Sequence, residues 1–169
     1  MADFPVVELP ETDHPGAGEA APDFTRPLVT GSGWRDRSLY SLLEECPVVL
    51  FCFPMDGTGT ARSSWVRIRE RGWGDDGAAV IGISISTPHE HVWLLDRHDL
   101  PYGMFSDPGA GVADLYGIPH DYGGMAGLTG HRPSFFVIDS SGRIRFAWVA
   151  SRWPEPRPYD AVERALSTI

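Results

Sequence analysis

The sequence predicts a three-layer α/β sandwich, in which helices cover both faces of a mixed central sheet. Three observations lead to this fold class. Runs that are apolar on both faces, typical of buried strands, occupy residues 48–53, 78–85 and 134–139. Helical spacing of apolar residues follows the first and second runs. The third run leads through a turn into residues 143–149, which predicts an antiparallel hairpin at one end of the sheet.

The first half of the predicted fold consists of two helices around one strand. Residues 38–45 carry three leucines at helical spacing, which predicts a short helix. Pro47 then introduces the run "VVLFCF", whose side chains are apolar on both faces. A second helix is predicted over residues 60–71, with Trp65 and Ile68 on its inner side.

The second buried run, residues 78–85, ends at a clear helix start signal. Thr87 can cap the helix, Pro88 suits its first position, and Glu90 completes a capping box. The remaining elements are a strand over 104–107, a short helix over 112–116, the hairpin of 134–149 and a last helix over 159–166. This order, β-α-β-α and then β-β-α, is the thioredoxin-like arrangement.

Length and charge limit the organisation and the partners of the chain. The 169 residues suit one domain, predicted over residues 18–169, and residues 1–17 read as an acidic arm that is loosely ordered or draped on the surface. The net charge of −9 argues against a nucleic-acid partner. All basic residues are Arg and none is Lys, which favours a halophilic archaeon as the source. A GC-rich genome is the alternative explanation.

The beginning of the chain and its apolar runs bear on its location. The first 25 residues contain six acids and no Lys or Arg, the reverse of a signal peptide. The longest apolar run, Val48–Phe53, is far shorter than the roughly 20 residues of a membrane span. We therefore expect a cytoplasmic protein without a membrane partner.

Four stretches in order resemble one family. Residues 18–24 ("GEAAPDF"), 48–61 ("VVLFCFPMDGTGTA") and 131–146 ("HRPSFFVIDSSGRIRF") resemble the opening, the active-site loop and the ending of the peroxiredoxins, also called the alkyl hydroperoxide reductase/thiol-specific antioxidant family. Residues 80–118 resemble the segment between the last two. The likeness covers about residues 18–150, and the four motifs at this spacing imply the peroxiredoxin form of the thioredoxin fold.

The resemblance assigns expected roles to particular residues. Pro54 falls on the family's loop proline, Thr58 on the threonine that hydrogen-bonds the peroxide, and Arg132 on the arginine that helps hold thiolate and peroxide. Three residues after this threonine the family has its peroxidatic cysteine, and here that place is Ala61. The resolving-cysteine position near Arg67 lacks a cysteine as well.

The family's reaction needs the missing sulfur atom. A thiolate, stabilised by a helix N-terminus, attacks a peroxide oxygen and becomes a sulfenic acid. The methyl group of Ala61 cannot ionise or attack. The resemblance therefore implies a degenerate peroxidase whose pocket is kept for assembly or for a peroxide-like or anionic small molecule. It also implies a homo-oligomer, such as a dimer, and no cofactor or metal.

Two alternatives keep the peroxidase activity. In the first, Cys52 acts as a displaced nucleophile, although a small apolar residue inside a strand is the simpler interpretation. In the second, Ala61 is an engineered replacement for the cysteine of an active peroxiredoxin. Cys46 precedes the same strand, whose length of about 20 Å places it far from the corner and excludes a disulfide with Cys52.

Other polar residues have weaker signals. His89 and His91 could ligate a metal, but surface or capping roles suit them better. His131 either lines the pocket or is a loop histidine. Asp56 could act as a base only if buried, and a solvated loop carboxylate is the simpler expectation. Arg62 either adds charge to the pocket or faces solvent.

Overall fold

A computed structural model describes residues 6–121 and 128–169. In this part of the chain the helices are α1 (Leu39–Leu43), α2 (Gly59–Glu70), α3 (Pro88–Arg97), α4 (Gly111–Leu115) and α5 (Tyr159–Leu166). The strands are β1 (Val7–Glu8), β2 (Thr25–Thr30), β3 (Gly33–Ser38), β4 (Val48–Cys52), β5 (Ala79–Ser84), β6 (Gly103–Ser106), β7 (Pro119–Asp121), β8 (Thr129–His131), β9 (Ser134–Ile138), β10 (Ile144–Val149) and β11 (Arg152–Trp153). None of these helices is long and apolar enough to cross a membrane.

The central sheet has seven strands in the order β10-β9-β4-β5-β6-β2-β3. Strands β4, β5 and β6 are parallel, with Val48 opposite Ala79 and Ile81 opposite Gly103. Strands β9 and β10 continue the sheet antiparallel on one side, and β2 and β3 do so on the other. This mixed sheet with helices on both faces confirms the predicted thioredoxin-like sandwich.

The two faces of the sheet carry separate apolar cores. Alternation along β4 sends Val48, Leu50 and Cys52 to one face, which α1 and α4 cover and which we call the α1 face. Val49 and Phe51 point to the other, the α2 face, which α2, α3 and α5 cover. Each side chain of β4 therefore lies in one core or the other, and this alternation places Cys52 in the core on the α1 face.

Helix α2 packs very closely on the sheet at Gly82 in β5. A Cβ atom at this position would lie 2.5 Å from Cζ2 of Trp65 and 2.6 Å from the sulfur of Met104. Glycine at position 82 therefore lets the fully buried indole of Trp65 reach the backbone of the sheet.

The β2–β3 hairpin at the edge of the sheet was not predicted from the sequence. The segments "TRPLVT" and "GWRDRS" contain a proline and several charged residues, and most of their side chains are exposed or half-buried. They pair in register from Thr25 opposite Ser38 to Thr30 opposite Gly33. Their strand conformation comes from this pairing and from the contact of β2 with β6, which apolar periodicity does not report.

The described part of the acidic arm, residues 6–17, lies along the domain. Strand β1 pairs with β11, and the Leu9 amide donates to the Ser151 carbonyl oxygen at 2.9 Å. Further along, the Gly18 amide donates to the carbonyl oxygen of Ile144 at 2.8 Å. These contacts run from the start of β10 at Ile144 to just past its end at Ser151, where Arg132 also lies.

Candidate active-site corner

Helix α2 begins at the corner that the sequence analysis singled out. Thr58 is its N-cap, with extended backbone angles of φ −79° and ψ 140°. The Thr58 hydroxyl oxygen accepts a hydrogen bond from the Ala61 amide at 3.2 Å, and the same hydroxyl donates to the Met55 carbonyl oxygen at 3.2 Å. The hydroxyl thus satisfies one of the unpaired N–H groups of the first turn and ties it to the loop.

Ala61 is in the first turn of α2 and faces the protein interior. It is only 1% exposed and belongs to the core on the α2 face. Pro54 is also buried, whereas Arg62 is exposed and faces solvent. The first turn contains no acidic residue, so no local carboxylate opposes the partial positive charge of the helix N-terminus.

Asp56 is buried beneath the corner, and the expectation that it is a solvated loop carboxylate is wrong. The residue is 3% exposed, and its Oδ1 atom accepts from the Ser84 hydroxyl at 3.3 Å. Its backbone amide donates to the Ser86 hydroxyl oxygen at 2.9 Å. The loop before α2 is therefore attached to the carboxyl end of β5.

His91 completes this buried group, and the surface or capping role expected for it is also wrong. Its Nδ1 atom lies 2.8 Å from Oδ2 of Asp56, and its Nε2 atom lies 3.0 Å from the Phe105 carbonyl oxygen. A carbonyl oxygen only accepts, so Nε2 carries a hydrogen. The contact with Asp56 is the second hydrogen bond of the same imidazole ring. His89, by contrast, is exposed and packs edge-on against Trp34.

A second buried carboxylate, Asp107, lies directly after β6. It is 1% exposed and accepts hydrogen bonds from Arg26 Nε at 3.0 Å, from the Val112 amide at 3.0 Å and from His131 Nε2 at 2.8 Å. Burial alone would raise the pKa of Asp107, but the hydrogen bonds from His131, Arg26 and the Val112 amide and the interaction with the charge of His131 outweigh it and hold the pKa below its usual value. His131 is thus a buried partner of Asp107 and not a simple loop histidine.

The two buried carboxylates belong to one polar layer at the carboxyl ends of β5 and β6. The Asp107 amide donates to the Ser84 carbonyl oxygen at 2.9 Å, while the Ser84 hydroxyl donates to Asp56. The Ser106 hydroxyl donates to the Ser86 carbonyl oxygen at 2.6 Å. A usable signal existed in the sequence, because Asp56 and Ser86 lie shortly after two runs predicted as buried strands, and Asp107 ends a third predicted strand.

Arg132 is buried between the arm and the end of β10. It is 4% exposed, and its Nη1 atom donates to the carbonyl oxygens of Pro10 at 2.6 Å and Ala150 at 3.4 Å. Its hydrogen bonds thus go to the arm and to the end of β10, and none goes to Thr58. Burial lowers the pKa of this guanidinium.

The two cysteines lie away from Ala61. Cys52 is 1% exposed in the core on the α1 face, so the sheet separates its side chain from Ala61 on the α2 face. Burial, and secondarily the charge of Asp107, raises the pKa of the Cys52 thiol well above its ordinary range. Cys46 is half-buried before the start of β4, and both thiols are free.

Comparison with known sequences identifies the family of this chain and several relatives. Residues 17–147 match the AhpC/TSA family. Peroxiredoxin Q of Arabidopsis thaliana, a chloroplastic protein, is 32% identical over 140 residues, which are 82% of this chain and 61% of that relative. Peroxiredoxin Q of Gentiana triflora is 31% identical over 111 residues, 64% of this chain and 49% of the relative. The chain thus spans about half to three fifths of the length of these relatives.

Solved structures resemble the fold over nearly the whole chain. The peroxidoxin BcpB of Mycobacterium tuberculosis has a TM-score of 0.74 at 25% identity and covers 92% of this chain and 96% of its own. The reduced 2-Cys peroxiredoxin of Plasmodium vivax has a TM-score of 0.77 at 17% identity over 91% of this chain and 96% of its own, which shows the fold alone. By its matched motifs and its sheet, this chain belongs to the AhpC/TSA family of peroxiredoxins.

Proposed function

We propose that this chain is an oxidoreductase-class protein by descent that does not reduce peroxides through the thiol route of its family. The observation that carries the proposal is the position of Ala61. Its amide bonds to the hydroxyl of the N-cap Thr58, three residues earlier, at the place where the family resemblance puts a reactive sulfur. A methyl group has no lone pair to attack an O–O bond and cannot form a sulfenic acid.

The surroundings of Ala61 support this proposal. The Thr58 hydroxyl already donates to Met55 and accepts from Ala61, so its donor is engaged within the loop. The hydrogen bonds of Arg132 go to Pro10 and Ala150. The two polar groups expected to hold the peroxide thus both make other contacts.

The alternative of a displaced nucleophile requires Cys52 to react from inside the sheet. Its side chain is in the core of the α1 face, and burial raises the pKa of its thiol, so the thiolate is rare at neutral pH. A peroxide would have to enter this core before it met the sulfur. The position of Cys52 therefore favours the role of a small apolar core residue.

We propose that the corner retains a binding or assembly role. The first turn of α2 has no acidic residue, and the N-terminus of a twelve-residue helix favours a small anionic or peroxide-like molecule. Assembly into a homo-oligomer, a cytoplasmic location and a halophilic source remain proposals. Sedimentation at several protein concentrations tests the first of these, and unfolding at low and multimolar KCl tests the last.

The decisive experiment combines hydrogen peroxide with a sulfenic-acid trap and locates the adduct by mass spectrometry. We expect no adduct on the native chain and no consumption of peroxide. Ala61→Cys should form an adduct at position 61 and consume peroxide if the corner still activates a thiol. Ser63→Cys, an exposed position on the same helix, is the matched control for the ordinary reactivity of a new thiol.

One result would contradict the absence of peroxidase activity, and a second would contradict a retained pocket at the corner. Rapid labelling of Cys52 in the native chain, with peroxide consumption that Cys52→Ser abolishes, would establish a working peroxidase. If the cysteine introduced at position 61 reacts no faster than that introduced at position 63, the corner is not a vacated peroxide pocket. Ala61→Cys also tests whether Ala61 is an engineered replacement, because the restored cysteine would then recover full peroxidase turnover.

A further inference from the structure

Strand β3 forms a free edge of the central sheet. It is the last strand in the sheet order, and within the described part of the chain β2 is its only strand neighbour. Just past β3, the Leu39 amide donates to the Phe24 carbonyl oxygen at 3.0 Å, which continues the register of the hairpin. Backbone groups of an antiparallel pair alternate between the partner strand and the opposite side. The amide and carbonyl groups of Trp34 and Asp36 therefore point away from β2.

These outward backbone groups are unpaired in the structure. On this side of β3, no residue in the ranges 6–121 and 128–169 forms a hydrogen bond with the backbone of Trp34 or Asp36. Trp34 is also 45% exposed, and its ring meets His89 edge-on at 4.9 Å between centroids. An edge of this kind is a template to which an extended segment can add as a further strand.

A cleft of about 390 Å³ runs along the same hairpin. Its lining includes Leu28, Arg35 and Arg37. Arg35 is opposite Leu28, which belongs to the core on the α1 face, so the Arg35 side chain is on that face as well. Arg37, two residues later in the strand, is on the same face. The cleft thus presents two guanidinium groups beside the open edge.

The two arginines of the cleft are weakly paired. The guanidinium of Arg35 is exposed and makes no hydrogen bond or ion pair with a residue that the structure describes. Nη2 of Arg37 lies 4.0 Å from Oε1 of Glu45, and its Nε donates to the Ser41 hydroxyl oxygen at 3.3 Å. The whole chain carries a net charge of −9, so this cleft is a local positive patch on an acidic protein. Its charge is complementary to carboxylates.

A second copy of the chain fits this edge poorly. Symmetric antiparallel pairing keeps the side chains of one face together, so the registers that overlap most of β3 place an arginine of one copy opposite an arginine of the other. Like charges directly opposite each other destabilise a sheet. An acidic strand in the same place would pair with both arginines. The charge pattern therefore favours a different, acidic partner.

We propose that β3 binds an extended acidic segment of another protein, which adds to the sheet as an antiparallel strand. Main-chain hydrogen bonds to Trp34 and Asp36 hold the segment in place. Acidic side chains at alternate positions lie opposite Arg35 and Arg37, and an apolar side chain lies opposite Trp34. The inference does not depend on Ala61 and is independent of the function proposed above.

The test uses the full chain, labelled with ¹⁵N, and the synthetic peptide acetyl-Thr-Glu-Thr-Glu-Val-Thr-amide. In the proposed register its glutamates fall opposite Arg37 and Arg35, and its valine falls opposite Trp34. During titration at constant ionic strength we expect saturable NMR shifts of the Trp34 and Asp36 amides, and slower hydrogen exchange of both. The same peptide with lysine in place of glutamate should bind about tenfold more weakly, because like charges then face each other.

A modified peptide separates strand pairing from simple charge attraction. Methylation of the backbone nitrogens of the valine and of the threonine opposite Asp36 keeps both glutamates but removes the donors of the ladder. We expect this peptide to produce no saturable shift of the Trp34 and Asp36 amides.

Variants of the chain test the charge pattern. Arg35→Glu should weaken binding of the glutamate peptide about tenfold, and the double variant Arg35→Glu/Arg37→Glu should prefer the lysine peptide. Arg164→Glu is the matched control, because it makes the same change of charge at an exposed position of α5, which packs at the other end of the sheet. It should leave peptide binding unchanged.

Asp36→Pro tests the edge and its alternative occupant. Proline at this outward position removes an edge donor and leaves the ladder with β2 intact, so it should abolish peptide binding and leave sedimentation of the chain unchanged. The proposal is overturned if the glutamate peptide produces no saturable shift, if the methylated peptide binds equally well, or if Arg35→Glu binds as the native chain does. Self-association of the native chain that Asp36→Pro abolishes would also overturn it, since a second copy would then occupy the edge.

Discussion

Nδ1 of His91 lies 2.8 Å from Oδ2 of Asp56, and this buried contact joins helix α3 to the loop that precedes α2. Both side chains are almost entirely removed from solvent. The loop that precedes α2 is therefore held against α3 by a buried hydrogen-bonded pair. Its geometry depends on residues that lie 35 positions apart in the chain.

Removal of His91 should destabilise the protein strongly. His91→Leu leaves the Asp56 carboxylate buried without its partner, and the Phe105 carbonyl oxygen loses its donor. Breaking a buried pair in this way costs about 3–5 kcal/mol in the free energy of unfolding. Urea unfolding at pH 7 measures it, with His89→Leu on the exposed side of the same helix as the control. A loss below about 1 kcal/mol would show that the pair contributes little.

Asp107 should make stability depend on pH in the acid range. The hydrogen bonds from His131 and Arg26 outweigh burial and lower the pKa of Asp107 below its ordinary value of 3.8, so folding favours the carboxylate. This stabilisation is fully present above pH 3.8 and is lost as the pH falls through the folded-state pKa. We expect Asp107→Asn to be less stable than the native chain by about 3 kcal/mol at pH 7, with the difference shrinking in acid.

Thermal or urea unfolding between pH 7 and pH 2.5 tests the expectation for Asp107. Asp76→Asn, an exposed carboxylate, is the control and should change stability by less than about 0.5 kcal/mol. A difference between Asp107→Asn and the native chain that stays constant, or grows, in acid would contradict the assignment.

Gly82 should tolerate no side chain, because α2 lies against it. In Gly82→Ala the new methyl group would press on Trp65 and Met104, at a cost of about 1–3 kcal/mol from overpacking. Gly57→Ala is the matched control, since a Cβ there meets no atom within 4 Å. Chemical unfolding and the fluorescence of the buried indole follow the change. Equal stability of Gly82→Ala and Gly57→Ala would mean that α2 moves away from β5 at little cost in free energy.

Thr58 should contribute to stability as the cap of α2. Thr58→Ala removes the acceptor for the Ala61 amide and should cost about 1 kcal/mol, whereas Thr58→Ser should retain most of the stability. Hydrogen exchange of the Ala61 amide should become faster in the alanine variant alone. Unchanged exchange would indicate that the cap is not formed in solution.

The two thiols should differ sharply in reactivity. Cys52 is enclosed in the α1-face core, and burial raises the pKa of its thiol, whereas Cys46 is half-buried. We expect an aromatic disulfide reagent to modify Cys46 in the native chain and Cys52 only after unfolding. Cys46→Ser should therefore abolish native labelling, and Cys52→Ser should preserve it. Fast labelling of Cys52 in the native chain would support its role as a displaced nucleophile.

Much of the fold was predictable because local patterns decide it. The apolar run of β4, the capping signal at Thr87 and the helical spacing of α2 each depend on residues close together in the chain, and the structure places these elements within one or two residues of the prediction. The β2–β3 hairpin was missed because its largely exposed, charged strands show little apolar alternation, and β2 is held in the sheet by β6, which is distant in the chain.

At the corner before α2, too, some features follow from the sequence and others only from tertiary packing. The chain order alone puts Ala61, Thr58 and Pro54 at one strand-to-helix turn, and it leaves no cysteine there. It does not reveal which loop carboxylate is buried, because burial depends on what packs above it. Asp56 and His131 were thus misjudged, since each is paired to a residue more than twenty positions away.

The amino-acid sequence by itself determined the family, the main buried strands and helices, and the lack of a cysteine between residues 53 and 65, since these are properties of local pattern and identity. Only the tertiary structure decided that Cys52 points to the α1 face, that Asp56 is hydrogen-bonded to His91, and that Arg132 bonds to the arm. The physical reason is that side-chain partners across a sheet are chosen by packing and desolvation, which act between segments distant in the chain.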